Sequence, residues 1–104
     1  MSDSRLSLLQ EYYTQDPSDP FNIYALALET SKTDASQAIT LFEELLNQHP
    51  QYLPTYYHAG KLYESLKQTD QAITVYKNGI SLAQKTGDLK TARELKSALD
   101  ELEF

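Results

Sequence analysis

One hundred and four residues with a formal net charge of −6 and no cysteine exclude several kinds of protein at once. The length suits one domain, the missing thiols exclude disulfides and thiolate metal or nucleophile sites, and an acidic chain lacks the cationic surface that nucleic acids and anionic membranes require. With 40% hydrophobic and 23% charged residues, and only three glycines and four prolines, the composition is that of a folded protein built from long helices.

The chain opens on MSDSRLSLLQ, which has no apolar stretch flanked by basic residues and so predicts no signal peptide. No apolar run approaches the roughly 20 residues of a membrane span, and the expected location is the cytoplasm. A first helix is expected over residues 4–14, where Leu6, Leu9 and Tyr13 recur at helical spacing. Asp19-Pro20, an acidic N-cap followed by proline at the first helical position, opens a second. Asp34, with Gln37 three residues on in capping-box spacing, opens a third. Pro54 opens a fourth, Thr69 or Asp70 caps a fifth, Gly87 closes it and Asp88 caps the last. In that last helix Leu89, Ala92, Leu95, Leu99 and Leu102 form one apolar stripe, as a terminal cap needs.

The elements repeat. Gln37-Ala38-Ile39-Thr40 recurs as Gln71-Ala72-Ile73-Thr74, and Phe42 as Tyr76, all at an offset of 34. Tyr24 recurs as Tyr57 and Ala27 as Gly60 at an offset of 33, and LLQEYYTQDP (8–17) reads like LFEELLNQHP (41–50) at the same offset. Three separate alignments at one period indicate a stacked repeat in which each unit buries its apolar face against its neighbours. A glycine inside a helix costs about 1 kcal/mol relative to alanine, so Gly60 predicts a close approach between helices.

This pattern resembles the tetratricopeptide repeat (TPR), a 34-residue unit of two antiparallel helices. The second repeat carries the family's packing residues most fully, with Tyr56, Ala59, Gly60 and Tyr63 on its first helix and Ala72 and Tyr76 on its second. In the first repeat Ala27, Ala38, Phe42 and Pro50 occupy equivalent positions, while Ile23 and Thr30 stand where aromatics are usual. The chain departs from the pattern in a first repeat one residue short between its helices, in turns without glycine, and in a second repeat with no closing proline. The resemblance implies an all-α fold, a right-handed superhelical stack of antiparallel helix pairs. One domain would span residues 1–104, with an N-terminal half-repeat helix at 4–14, repeats at 19–50 and 53–85, and a capping helix at 88–103.

No catalytic, cofactor-binding or metal-binding set can be assembled from these residues, so no enzyme and no cofactor are expected. His49 and His58 have no metal-ligand or triad partners at a useful spacing. His58 reads as a packing or surface residue and His49 as a helix-end residue meeting the C-terminal dipole. The pairs Glu43-Glu44 and Asp100-Glu101 point about 100° apart on a helix and read as solvated faces.

The resemblance implies instead a non-enzymatic adaptor that binds a protein or peptide segment on a concave face lined by the first helix of each repeat. On that mapping Phe21, Tyr24 and Leu28 of the first repeat and Tyr57, Lys61 and Glu64 of the second are the candidate partner-binding residues. Tyr63, Tyr76 and Phe42 read as core. Family members that hold a peptide's terminal carboxylate present basic residues on successive inner helices. Here only Lys61 is basic at such a position, so that mode is not expected. Residues 1–52 hold eight acids against Arg5 and Lys32 and carry the whole charge excess, whereas residues 53–104 hold seven of each sign; the acidic half suggests a basic partner. A competing expectation is a homodimer through the terminal helices, with Leu102 and Phe104 as the exposed apolar contacts.

Overall fold

Prolines and acidic side chains decide where most of the helices begin. The computed structural model describes residues 2–103. Among them the elements are α1 (Ser2–Gln15), α2 (Pro20–Thr30), α3 (Ala35–Gln48), α4 (Pro54–Ser65), α5 (Thr69–Thr86) and α6 (Leu89–Leu102), all α-helices with no strand. They fall into two compact units, Met1–Tyr52 and Leu53–Phe104, which hold α1–α3 and α4–α6 respectively.

In the first unit Pro20 sits at the start of α2, where a missing N–H costs nothing, and the Asp19 carboxylate accepts the Phe21 amide at 2.9 Å. The connection to α3 closes without any left-handed residue. The Asp34 amide donates to the Thr30 carbonyl at 2.8 Å, and the Asp34 carboxylate caps α3 by accepting the Gln37 amide at 3.0 Å. Ile23, Leu26, Ala27 and Thr30 of α2 are buried, as are Ala38, Phe42 and Leu45 of α3. Full burial of a side chain the size of Phe42 or Leu45 stabilises by about 1.5–3 kcal/mol.

Helix α1 begins two residues before the expected start and ends one after the expected end. It offers α2 the half-buried face of Leu6, Leu9 and Tyr13. Polar bonds fix its position: the Tyr13 hydroxyl donates to the Glu44 carboxylate of α3 at 2.9 Å, and the Asn22 amide donates to the Tyr12 and Asp16 carbonyls, each at 3.2 Å.

The second unit uses the same plan with its bulk redistributed. Tyr56 stands one period after Ile23, and Gly79 one period after Leu45. A Cβ on Gly79 would lie 2.6 Å from the Tyr56 Cβ and 2.9 Å from the Leu95 Cδ1, so the aromatic on α4 requires the bare backbone on α5. A Cβ on Gly60 would overlap the Tyr76 ring in the same way, which is the close approach its position predicts.

The α4–α5 turn corrects one expectation. Lys67 takes a left-handed φ of 63°, its amide donates to the Glu64 carbonyl at 3.0 Å and the Gln68 amide to the Tyr63 carbonyl at 2.9 Å. That paired closure is a Schellman motif with lysine in the place glycine usually holds. It puts Gln68 at the N-cap of α5, so Thr69 and Asp70 lie inside the helix and neither caps it. Gly87, at φ 80°, ends α5, and Asp88 caps α6 by accepting the Thr91 amide at 3.1 Å.

The stripe on α6 is also shifted. Ala92, Leu95 and Leu99 are buried together with Ala98, and Leu102 is half-buried. Leu89 is 61% exposed because, as the first residue after the Gly87–Asp88 reversal, it stands at the edge of the α5–α6 contact. Phe104 lies outside the described residues.

Candidate functional site

Each unit carries a groove on the face of its first repeat helix. In the first unit Phe21, Tyr24 and Leu28 recur along one side of α2 and, with Arg5 of α1, Glu29 of α2 and Lys32 of the turn after it, line a groove of about 460 Å3. Phe21 is 60% exposed. Most of that ring is left in water, whereas Tyr24 is half-buried and meets the Tyr52 ring edge-on, 5.6 Å between centroids. Burial, with Tyr52 beside it, pushes the Tyr24 hydroxyl above the ordinary tyrosine range, so it remains a protonated donor.

The floor of this groove is charged. Arg5 Nε lies 3.0 Å and Lys32 Nζ 3.1 Å from the same Glu29 carboxylate oxygen. The hydrogen bond from Lys32 holds the Glu29 carboxyl below its usual range; burial opposes it, and the bond from Arg5 and the charges of both bases add to it. Two cations therefore share one anion, and the groove keeps a net positive charge.

In the second unit the groove lies between α4 and α6 and measures about 640 Å3. Tyr57, 37% exposed, and Lys61 come from α4; Lys90, Arg93, Ser97 and Glu101 are among the α6 residues facing them. The Lys61 ammonium sits 5.6 Å from the Tyr57 ring centroid, a cation–π contact, and is shared between Glu64 at 3.9 Å and Glu101 at 4.0 Å.

Glu64 is engaged from below. It accepts a short hydrogen bond from the Tyr76 hydroxyl of α5, and burial together with that carboxylate pushes the hydroxyl far above its ordinary value. Glu64 thus ties the packing layer to Lys61, while Tyr57 and Lys61 face the groove.

Of the candidate residues, Phe21, Tyr24 and Leu28 share one groove, Tyr57 and Lys61 share the other, and Glu64 stands at the edge of the second, bonded to Tyr76. Sequence reasoning missed Arg5, Tyr52 and the whole α6 wall. Arg5 had a signal, since it stands one period before Ala38, where a small packing residue is expected. Lys90 and Arg93 had none, because the apolar stripe of α6 accounts for that helix without them.

His58 is half-buried beside the Tyr57 ring, and burial lowers its pKa by disfavouring the imidazolium. His49 follows α3 as its C-cap, its amide bonded to the Leu45 carbonyl at 2.7 Å. Among the described residues no group of three or more His, Asp or Glu is placed to hold a metal ion, and no helix is long and apolar enough to cross a membrane.

The family model described as Tetratricopeptide repeat matches residues 30–99. None of the curated proteins matches the chain. Among solved structures, the chain is similar to a tetratricopeptide repeat domain protein from Salinibacter ruber. Its solution NMR structure is 52% identical over 85% of this chain and 90% of that one, with a TM-score of 0.80. The crystal structure from the same organism is 50% identical over 82% and 97%, with a TM-score of 0.78. PcrH, solved in complex with the chaperone binding region of PopD, aligns with a TM-score of 0.87 over 97% of this chain and 77% of its own. At 16% identity that likeness concerns the fold alone.

Proposed function

This chain belongs to the tetratricopeptide repeat family, and we propose that it is a non-enzymatic scaffold that holds a peptide segment of another protein against the first-helix faces of its repeats. The observation that carries this reading is the pair of exposed aromatics at those faces, Phe21 on α2 and Tyr57 on α4, each lining a groove. Neither ring is spent on the core, which Ile23, Phe42, Tyr56 and Tyr76 fill. An aromatic anchor with charged neighbours is the composition of an interaction hot spot. PcrH, of the same fold, is solved with a segment of its partner, which lends weight to this use of the fold.

The test is a selection of random peptides displayed on phage against the purified full chain. Enriched peptides should shift the amide resonances of Phe21, Tyr24, Tyr57 and Lys61, and should bind Phe21→Ser or Tyr57→Ser at least about tenfold more weakly. Peptides that shift only outer-face residues of α3 and α5 would move the site elsewhere.

A second reading, self-association through the terminal helices, is favoured by one observation. Leu8 and Tyr12 of α1 are each more than 40% exposed, whereas their period mates on α3 are half-buried (Leu41) and fully buried (Leu45). Light scattering of the wild type and of Leu8→Ser/Tyr12→Ser decides it: a dimer that becomes a monomer in the variant places the contact on α1.

A further inference from the structure

Both grooves are cationic in a chain whose net charge is −6. The only bases of residues 1–52, Arg5 and Lys32, both line the α2 groove, with Glu29 their shared counter-charge. The acids of that half lie elsewhere or are engaged: Asp19 and Asp34 cap helices, Glu44 accepts from Tyr13, and Glu11, Asp16 and Glu43 are solvent-exposed.

In the α4–α6 groove Lys61, Lys90 and Arg93 outnumber Glu94 and Glu101. Lys61 is shared with Glu101 and Glu64, while among the described residues no ion pair within 4.0 Å is made by Lys90 or Arg93. Lys90 also stands in the first turn of α6, where the helix dipole disfavours a cation. Its charge is offset in part by the capping carboxylate of Asp88, which it helps to hold ionised.

Resting on the groove reading above, we propose that the α4–α6 groove takes an acidic peptide segment. Its Asp or Glu side chains meet Lys90 and Arg93, and a neighbouring apolar or aromatic side chain lies on Tyr57. The net charge of the chain would suggest the opposite partner, but a ligand responds to the local field within about a Debye length, ~8–10 Å, and the excess acids are outside the groove lining. The lining holds one more base than acid, and Lys90 and Arg93 are its bases with no ion pair within 4.0 Å among the described residues, so an acidic peptide finds two cations to meet.

The test uses two capped peptides, acetyl-EEFEELEE-amide and acetyl-KKFKKLKK-amide, titrated into the full chain and followed by amide NMR. Neither has a free terminal carboxylate. The acidic peptide should shift Tyr57, Lys61, Arg93 and Ser97, weaken as salt is raised, and lose about tenfold in affinity for Lys90→Glu/Arg93→Glu. Lys85→Glu, a base outside the groove, should leave binding unchanged. Because Lys90→Glu suits the α6 dipole, the double variant should stay folded, and its thermal melt checks that. Equal or tighter binding of the lysine peptide at these amides overturns the acidic preference and leaves the groove reading standing. If neither peptide moves any first-helix amide, both readings fall. Equal shifts with single-stranded oligo(dT) would show a general polyanion surface and overturn the peptide.

Discussion

Gly60 faces the Tyr76 ring so closely that a Cβ at residue 60 would overlap three of the ring atoms. The ring is itself fully buried and its hydroxyl is bonded to Glu64, so it has no free direction in which to retreat. Gly60→Ala is therefore expected to lower stability, although alanine favours an isolated helix by about 1 kcal/mol. Overpacking should cost about 1–3 kcal/mol, a fall in Tm of roughly 5–15 °C by thermal denaturation followed by circular dichroism. A rise in Tm would mean that α4 and α5 are farther apart than described.

Lys67 offers the opposite sign. It holds a left-handed φ of 63° in the closing turn of α4, a conformation that costs a residue with a Cβ about 1 kcal/mol. Lys67→Gly should raise stability by about 1 kcal/mol and Lys67→Ala should leave it nearly unchanged, as read from urea midpoints at constant m. A loss with glycine would show that the lysine side chain contributes a contact of its own.

Asp88 sets a pH dependence. The backbone hydrogen bond from Thr91, followed by the bond from the Thr91 side chain, holds its carboxyl below the ordinary value of 3.8. A group whose pKa is depressed on folding contributes stability above its unfolded value and loses it as pH falls through the folded one. Melting temperatures should therefore decline as the solution is acidified below about pH 4, and the decline should be smaller in Asp88→Ala than in the wild type. An identical slope in both would remove Asp88 as a contributor to acid unfolding.

Helix starts were legible because their causes are local. Asp19 and Asp34 cap and Pro20 and Pro54 open their helices through side chains and ring geometry that act within a few residues. The N-cap of α5 was not legible, because Thr69 and Asp70 are both good caps in isolation. The choice of Gln68 follows from the left-handed Lys67 and the two hydrogen bonds that close α4.

The repeat, its helical class and its buried small residues follow from sequence alone, since a period of 33 to 34 residues in size and polarity survives whatever surrounds it. Gly79 shows where that reading stops: its role depends on Tyr56, which comes 23 residues earlier and meets it only when α4 packs on α5. The groove walls belong to the same class. Arg5 reaches the α2 groove from α1, and Lys90 and Arg93 reach Tyr57 from α6. Sequence fixes which side chains carry charge, but the sign of a local field depends on which of them folding brings within a Debye length, and only the tertiary structure decides that.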